Sequence, residues 1–216
     1  MKDVFFKPWV GEMFDSGGIF GKKILALGEA HICGGCDRCG ISFATQCDDM
    51  QTPNIVRSYI ENYRGRWCAT FRKFERALSG HETTDEESRK IWESIAFYNY
   101  IQVAMPEARM SPSDESWTIS EEPFFEVLDA LSPDLIVVWG TTRMYDNMPE
   151  RNWRAAAPIV KDDISIRTGF YATGSGKDIR TIWIKHPSSA FSWDKWHEAI
   201  KNEIFDNNFN QSGNHE

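Results

Sequence analysis

The feature that most constrains the fold of this chain is a short, uninterrupted apolar run, Leu135-Ile-Val-Val-Trp139, bounded by Asp134 and Gly140. A run that is too short for a helix and is rich in β-branched residues is typical of a strand buried on both faces. Such strands belong to parallel sheets that helices cover on both sides. The run therefore predicts an α/β protein, and specifically a three-layer α/β/α arrangement.

Three further runs of the same character occur at 22–27, 94–100 and 180–184. The intervening segments contain helical patterns, so the chain alternates strands with helices and predicts a central, mostly parallel four-stranded sheet. The segment 164–173 is expected to form a hairpin with the last of these strands. The stretch 153–157 is too short and ambiguous to assign.

The helical patterns have recognisable boundaries. Apolar residues recur at helical spacing from 53 to 78, with a possible break at Gly65. Thr84 with Glu87 three residues later predicts a capping box at the start of the next helix. Another helix is expected from Ser120 to Leu131, and a closing helix is expected after Ser192, which is the candidate cap.

Length and composition set outer bounds. A chain of 216 residues, 41% of them hydrophobic, fits one domain, expected at 1–206 and followed by a disordered polar tail at 207–216. No apolar run reaches about 18 residues, and the first residues lack the apolar stretch of a signal peptide. We therefore expect a cytoplasmic protein with no membrane partner, and a monomer. The net charge of -8 argues against a protein that coats phosphates nonspecifically, although a local basic face remains compatible with it.

Four of the five cysteines crowd into one segment, which also lacks helical or strand periodicity. In a cytoplasmic chain this crowding favours metal ligation over disulfides. Thiolates at these spacings can surround a tetrahedral zinc, and three of them also resemble iron–sulfur spacing. A structural metal and free, partly reactive thiols are equally compatible with the pattern. The candidate ligands are Cys33, Cys36, Cys39 and Cys47.

Polar residues follow each of the predicted parallel strands. Because the carboxyl ends of such strands meet at one edge of the sheet, a ligand site is expected there. The segments that end at this edge are Gly28-Glu29-Ala30-His31, Asn99, Gly140-Thr141-Thr142 and His186-Pro187-Ser188.

These segments resemble the motifs of the uracil-DNA glycosylase superfamily. That family has a Gly-led water-activating motif after the first strand, a Gly-Leu-small-Phe segment, a strand that ends in Asn, and a His-Pro-Ser loop after the last strand. The corresponding segments here are Gly28-Glu-Ala30, Gly40-Ile-Ser-Phe43, Phe97-Tyr-Asn99 and His186-Pro-Ser188. Their order and approximate spacing agree from residue 28 to 188, which is most of the chain.

The resemblance implies a role for each motif in removing a base from DNA. Phe43 would stack on a base that has been flipped out of the duplex, and the amide of Asn99 would read its edge. His186 would donate a hydrogen bond to the oxygen on which the departing base gathers negative charge. A neutral imidazole, fixed through its other ring nitrogen, suffices for this role.

The motif after the first strand departs from the family pattern. The best-known branch has a catalytic Asp where Ala30 stands, and the Gly-Glu-Ala sequence is closer to the iron–sulfur branch. Glu29 is therefore the expected group that orients the attacking water. His31, which stands where the family has Pro, is a candidate replacement for it. Gly28 and Ala30 are counted with the residues that bind the substrate.

The His-Pro-Ser loop is expected to contact the DNA directly. The resemblance implies that the backbone amides of Ser188 and Ser189 hold phosphates of the target strand. The family's apolar wedge, which fills the gap left by the flipped base, falls at Ala190 or Phe191, and Phe191 is the better filler by size.

The sequence thus predicts a DNA glycosylase for uracil or a modified pyrimidine, with DNA as its partner and no cofactor required for catalysis. The altered first motif and the Cys-rich loop make a bulkier base plausible, such as a hypermodified phage base, with a role in defence rather than in repair. An alternative hypothesis is a non-catalytic nucleic-acid- or protein-binding module that retains the fold. A zinc-dependent hydrolase that uses Cys and His31 is a third hypothesis, but no second His cluster supports it.

Overall fold

The computed structural model describes residues 1–32, 48–61, 65–107 and 110–206. The strands in these ranges are β1 (Trp9–Val10), β2 (Ile24–Gly28), β3 (Ile95–Asn99), β4 (Leu135–Trp139), β5 (Trp153–Lys161), β6 (Ile164–Ala172) and β7 (Asp178–Ile184). The α-helices are α1 (Gln51–Ile60), α2 (Cys68–Ser79), α3 (Asp85–Glu93), α4 (Asp114–Ile119), α5 (Glu121–Leu131), α6 (Arg143–Asn147) and α7 (Trp193–Phe205). None of the helices in the described ranges has the length and apolar character needed to cross a bilayer.

The strands form one mixed sheet in the order β1-β3-β2-β4-β7-β6-β5. The neighbours β3, β2, β4 and β7 run parallel to one another, whereas β1, β6 and β5 are antiparallel to the strands beside them. The α/β class is thus confirmed, but the expected size of the sheet is wrong: the described residues contain seven strands rather than four. The extra strands are added at both edges.

The predicted hairpin of β6 and β7 is confirmed, and β5 extends it by one more antiparallel strand. The β5–β6 register shifts between Ala156 and Ile159, so that Ala157 and Pro158 form an irregularity in the outer strand. The hydroxyl of Thr168 in β6 donates to the Ala157 carbonyl at 2.8 Å and holds this irregularity in place. A run of alanines followed by proline carries little strand propensity, which is why the sequence pattern does not assign this segment.

Helices cover both faces of the sheet. Ile24 and Ala26 of β2 point into a core formed with α1, α2, α3 and α7. Leu25 and Leu27 point the other way, into a core formed with α5 and with Met144 of α6. This alternation follows from the two-residue period of a strand, and it explains why every residue of β2, β3 and β4 is buried.

Most helix boundaries follow the expected signals. The helical pattern from 53 to 78 is divided into α1 and α2, as the glycine at 65 indicated. Thr84 caps α3 in a complete capping box with Glu87, which confirms that prediction. Ser113 accepts from the Ser116 amide and begins α4, a short helix that the sequence pattern does not predict.

The prediction for the start of α7 is wrong in its detail. Ser192 does occupy the N-cap position, but its side chain makes no capping bond to the backbone. Its hydroxyl donates instead to the Asp194 carboxylate at 2.9 Å. The capping function expected of this hydroxyl is therefore absent.

Candidate functional site

A large open cleft of about 1640 Å³ lies at the carboxyl ends of the parallel strands. In the sheet, β3 lies on one side of β2 and β4 lies on the other side. The cleft therefore lies where the strand order changes direction. The described residues at all four predicted strand ends line it: Gly28, Glu29, Ala30, His31, Asn99, Gly140, Thr141, Thr142, His186, Pro187, Ser188 and Ser189. The structure therefore brings these separate segments together.

The segment after β2 is held in an extended path by backbone hydrogen bonds to the segment after β3. The amides of Tyr100, Ile101 and Met105 donate to the carbonyls of residues 28, 29 and 31 at 3.0, 2.8 and 2.7 Å. A parallel bridge between Ile32 and Met105 ends this ladder. The backbone that carries the first motif is consequently fixed relative to Asn99.

Gly28 leaves room for the Asn99 side chain. A Cβ atom at residue 28 would overlap Asn99 Oδ1 and would lie 3.4 Å from the ring of Phe97. Such an overlap is sterically excluded, so any larger residue here would displace the amide. The role of Gly28 is thus to admit the Asn99 oxygen, rather than to contact a substrate through a side chain.

His31 is buried beside Asn99. Its Nε2 lies 2.7 Å from Thr52 Oγ1, and the Asn99 amide nitrogen lies 3.2 and 3.3 Å from the two ring nitrogens. Because a neutral imidazole accepts at only one nitrogen, an arrangement with Nε2–H donating to Thr52 and Nδ1 accepting from Asn99 satisfies all three groups. The ring of Phe6 packs against the imidazole edge at 4.8 Å.

These surroundings argue against His31 as a general base. Desolvation by burial lowers its pKa from 6.5 to about 4. A group with so low a pKa is a weak proton acceptor at neutral pH, where a general base works best with a pKa near the ambient pH. The contacts of His31 instead fix the orientation of the Asn99 amide.

The turn after β7 fixes which ring nitrogen of His186 carries the proton. Its Nδ1 accepts from the Ser188 amide at 3.1 Å and lies 2.8 Å from the Ser188 hydroxyl. Desolvation by burial, with a smaller effect of the Arg143 charge, lowers the His186 pKa from 6.5 to about 4. The imidazole is therefore neutral at pH 7 and carries its proton on Nε2, the nitrogen that is left to donate.

The two serines of this turn bond within it. The Ser188 amide donates to His186, and the Ser189 amide and hydroxyl donate to the His186 carbonyl at 3.0 and 2.6 Å. Both amides expected to hold phosphates are thus already engaged in the turn. The arrangement gives Ser188 a different task, which is to fix the tautomer of His186.

Phe191 does not have the position of a wedge. Its side chain is 6% exposed and stacks on Trp196 of α7, with ring centroids 5.5 Å apart and ring planes at 4°. It belongs to the core between the sheet and α7. The large apolar surface that made Phe191 attractive as a wedge is used for packing, while Ala190 beside it is exposed.

Glu29 is paired with a residue that the sequence did not single out. Arg143 Nε donates to Glu29 Oε2 at 2.7 Å, and Nη2 donates to Oε1 at 2.5 Å. Arg143 is the first residue of α6 and follows the strand end Gly140-Thr141-Thr142. The sequence offered one indication that Arg143 belongs to the site, which is that it follows a strand end at the edge of the sheet. Nothing in the local sequence pairs residue 29 with residue 143.

Aromatic rings form part of the cleft wall. Phe97 and Trp139 pack with centroids 5.0 Å apart, Phe71 lies 5.5 Å from Phe97, and His186 contacts the edge of Trp139 at 5.8 Å. All of them line the cleft. Phe97 and Trp139 were expected only as buried strand residues, since a strand pattern does not show which core rings reach the end of the sheet.

Cationic side chains line part of the cleft, whose wall also contains Glu29, Asp48 and Glu107. The cationic residues besides Arg143 are Arg66, Lys73 and Lys185. Lys73 Nζ donates to the Ser189 carbonyl at 3.2 Å and so joins α2 to the turn. The chain carries a net charge of -8, so this set is a local departure from its overall charge.

Phe43 and the candidate metal ligands Cys33, Cys36, Cys39 and Cys47 lie outside the described residues. Their predicted roles therefore remain predictions. In the part of the chain that is described, no group of three or more His, Cys, Asp or Glu side chains is placed to hold a metal ion. Cys68, the fifth cysteine, is buried in the core.

Comparison with known proteins gives no match: no family model matches the chain, and no curated protein matches it significantly. The resemblance to the glycosylase superfamily thus rests on the four sequence motifs, three of which lie in described residues at the edge of the sheet.

Proposed function

We propose that this protein is a DNA glycosylase, which flips uracil or a modified pyrimidine out of DNA and hydrolyses its N-glycosidic bond. The products are the free base and an abasic site. The proposal rests on one observation above all: a neutral, fixed imidazole at the end of β7 lies in the same cleft as Glu29 and Asn99.

His186 has the properties that a leaving base requires. As the glycosidic bond breaks, negative charge develops on the base and spreads to its carbonyl oxygen. A donor that is already in place stabilises this charge without reorganising during the reaction. The Nε2–H of His186 is such a donor, because Ser188 occupies Nδ1.

Asn99 would recognise the edge of the base. A side-chain amide offers two donors and an acceptor, so it can distinguish pyrimidines by their hydrogen-bonding edge. The contact with His31 sets which way the amide faces, and Gly28 provides the space for its oxygen. Recognition would therefore depend on residues that do not themselves contact the base.

Glu29 would act on the sugar side of the reaction. The carboxylate lies in the cleft and is held by the two bonds from Arg143. A carboxylate offers about four lone-pair positions, so two remain for a water molecule. Its negative charge would also stabilise the positive charge that develops on the sugar as the base departs.

The cleft leaves room for a base larger than uracil. It has a volume of about 1640 Å³ and is open to solvent, so it imposes no upper limit at the size of an unmodified pyrimidine. A pyrimidine with a bulky substituent would fit this space. We therefore extend the proposal to hypermodified phage bases, for which removal would serve defence rather than repair.

The decisive experiment presents the purified protein with duplexes that contain uracil, 5-hydroxymethylcytosine or glucosylated 5-hydroxymethylcytosine. We expect alkali-labile abasic sites and free base from at least one of these duplexes. His186→Ala should reduce the single-turnover rate by at least about 100-fold, since removal of one preorganised donor typically has this effect. His81→Ala is a matched control, because His81 is exposed and lies outside the cleft.

Two outcomes would contradict the proposal. Absence of product from every duplex, together with absence of DNA binding at low salt, would exclude the glycosylase function. Full activity of His186→Ala would instead remove the residue to which we assign stabilisation of the leaving base.

A non-catalytic binding module is the alternative, and one observation favours it. Both oxygens of Glu29 already accept from Arg143, and Ala30 supplies no second carboxylate. DNA binding without release of any base would support this alternative. A metal has no part in the proposed reaction, and the structural zinc proposed for the cysteines can be tested by metal analysis of protein purified without added metal.

A further inference from the structure

Arg143 connects three parts of the cleft. It begins α6 directly after the β4 end, and its guanidinium forms a two-point contact with Glu29 at the end of β2. Its remaining terminal nitrogen, Nη1, donates to Ser111 Oγ at 3.0 Å. The guanidinium is thus fixed by three hydrogen bonds to two residues from different segments.

The two-point contact determines the orientation of the carboxylate. A planar guanidinium that donates two parallel hydrogen bonds fixes the plane of the carboxylate as well as its position. The free lone pairs of Glu29 are then restricted to the directions not occupied by Arg143. A lysine at the same position would supply charge without this directional restraint.

The pair is only partly exposed to solvent. The Arg143 side chain is 41% exposed and that of Glu29 is 16% exposed. Exposed ion pairs typically stabilise proteins only weakly, but a two-point arginine–carboxylate contact is the exception. The comparison of melting temperatures below therefore separates a contribution to folding from a function in the cleft.

Arg143 also affects His186, which follows β7, the strand next to β4 in the sheet. Its positive charge adds to desolvation in lowering the pKa of that imidazole. Other charged groups that line the cleft near the turn are Lys185, which precedes His186, and Lys73 of α2, which bonds the Ser189 carbonyl. Among the described residues, Arg143 is the charged side chain that lowers the His186 pKa, and Glu29 is its own partner.

We propose that Arg143 is a positioning residue that orients the Glu29 carboxylate for the attacking water. Its kinetic consequence rests on the glycosylase function proposed above. A separate consequence, that loss of the Arg143 charge raises the His186 pKa, is independent of any activity.

The variants for the test are Arg143→Gln, which removes the charge, and Arg143→Lys, which retains the charge but not the two-point contact. Arg151→Gln is the matched control. Arg151 is similarly exposed, at 44%, and pairs with Glu121 and Glu122 away from the cleft. All variants are made in the full chain, and their melting temperatures are compared first.

We expect Arg143→Gln to lower the single-turnover rate by about 100-fold, as misplacement of a reacting group typically does, with little change in DNA affinity. Arg143→Lys should recover only a minor part of the loss. In a Glu29→Gln background, Arg143→Gln should cause little further loss, because both substitutions act through the same carboxylate. Arg151→Gln should retain the rate of the unmodified chain.

NMR titration of His186 gives the readout that does not require activity. We expect its midpoint to move to higher pH in Arg143→Gln, and to remain unchanged in Arg143→Lys and Arg151→Gln. An unchanged midpoint in Arg143→Gln would contradict this electrostatic consequence, even if no base is ever released. An active protein whose rate is unaffected by Arg143→Gln would overturn the positioning proposal, whereas a protein inactive on every duplex would count against the glycosylase function alone.

Discussion

At the scale of single residues, the glycine at the end of β2 decides where the Asn99 amide can lie. The space that Gly28 leaves is filled by Asn99 Oδ1, and the other end of the amide contacts His31. Three residues from two neighbouring strands thus determine one orientation. The chemistry proposed for Asn99 therefore depends on a residue that has no side chain.

We predict that Gly28→Ala disables the site more than it destabilises the fold. The added methyl group would displace the Asn99 amide, so we expect a loss of about 100-fold in single-turnover rate. The free energy of unfolding should fall by about 1–3 kcal/mol, as is typical of overpacking. Rapid-quench kinetics and urea denaturation measure the two effects.

Gly21→Ala is the control for this substitution. Gly21 has a positive φ, of 63°, and no described atom lies within 4 Å of the position that a Cβ would occupy. The variant should lose about 1–2 kcal/mol through backbone strain and keep its rate. A normal rate in Gly28→Ala would show that the position of the Asn99 amide is unimportant.

The low pKa of His186 predicts a loss of stability in acid. The folded protein has a His186 pKa near 4, below the ordinary value of 6.5, so the unfolded chain binds the proton more readily between these values. The contribution is complete above pH 6.5 and decreases as the pH falls toward 4. Protonation at Nδ1 would also break the bonds from Ser188.

Denaturation of His186→Asn at a series of pH values tests this prediction. Stability should fall less steeply between pH 6.5 and 4 than in the unmodified chain, with His31 responsible for much of the remaining slope because its pKa is lowered in the same way. Equal slopes in the two proteins would contradict the prediction.

At the scale of elements, two residues at N-cap positions differ in what they do. Thr84 caps α3 through a side-chain bond, whereas the Ser192 hydroxyl at the start of α7 bonds Asp194. Thr84→Ala should therefore lower the free energy of unfolding by about 1 kcal/mol. Ser192→Ala should lower it by less than about 0.5 kcal/mol, as is usual for surface substitutions.

Thermal or urea unfolding of these two variants separates the contributions of the caps. An equal loss in both would show that the Ser192 hydroxyl contributes as much as a true cap. The comparison is matched, because both substitutions remove one hydroxyl from a helix N-terminus.

The elements show why part of this structure could be predicted from the sequence. Apolar runs typical of strands that are buried on both faces predicted β2, β3, β4 and β7. The polar residues that follow these strands predicted the edge of the sheet where the candidate site lies. β5 has no such run, because its pairing with β6 defines it. α4 is short, and its local signal is one cap residue, Ser113. Arg143 was missed for a related reason, since its partner Glu29 is 114 positions away in the chain.

At the scale of the whole molecule, cationic side chains line part of the cleft although the net charge of the chain is negative. Acidic residues give the chain its net charge of -8, while Arg66, Lys73 and Lys185 line the cleft. An acidic protein that binds DNA through a small basic set should bind weakly and with a shallow salt dependence, because the slope scales with the number of phosphates neutralised. Its surface elsewhere would repel the duplex and confine contact to the cleft.

We predict that Lys185→Ala reduces the slope of log affinity against log salt by about 1, the amount expected for loss of one phosphate contact. Lys195→Ala removes the same charge from a position outside the cleft, where Lys195 pairs with Asp163, and should leave the slope unchanged. Fluorescence anisotropy at several salt concentrations measures both slopes. Equal slopes for the two variants would place the DNA elsewhere on the surface.

The irregularity in β5 limits how well the outer edge of the sheet can pair with the sheet of another copy. An open sheet ends in a strand whose outward amides and carbonyls can pair with another chain, and Val160 on this strand is 70% exposed. Pro158 supplies no amide hydrogen, and the shifted register beside it interrupts the straight line of donors and acceptors. The outer edge is therefore a poor template for the growth of a shared sheet, which protects a chain with a long exposed edge from edge-to-edge aggregation.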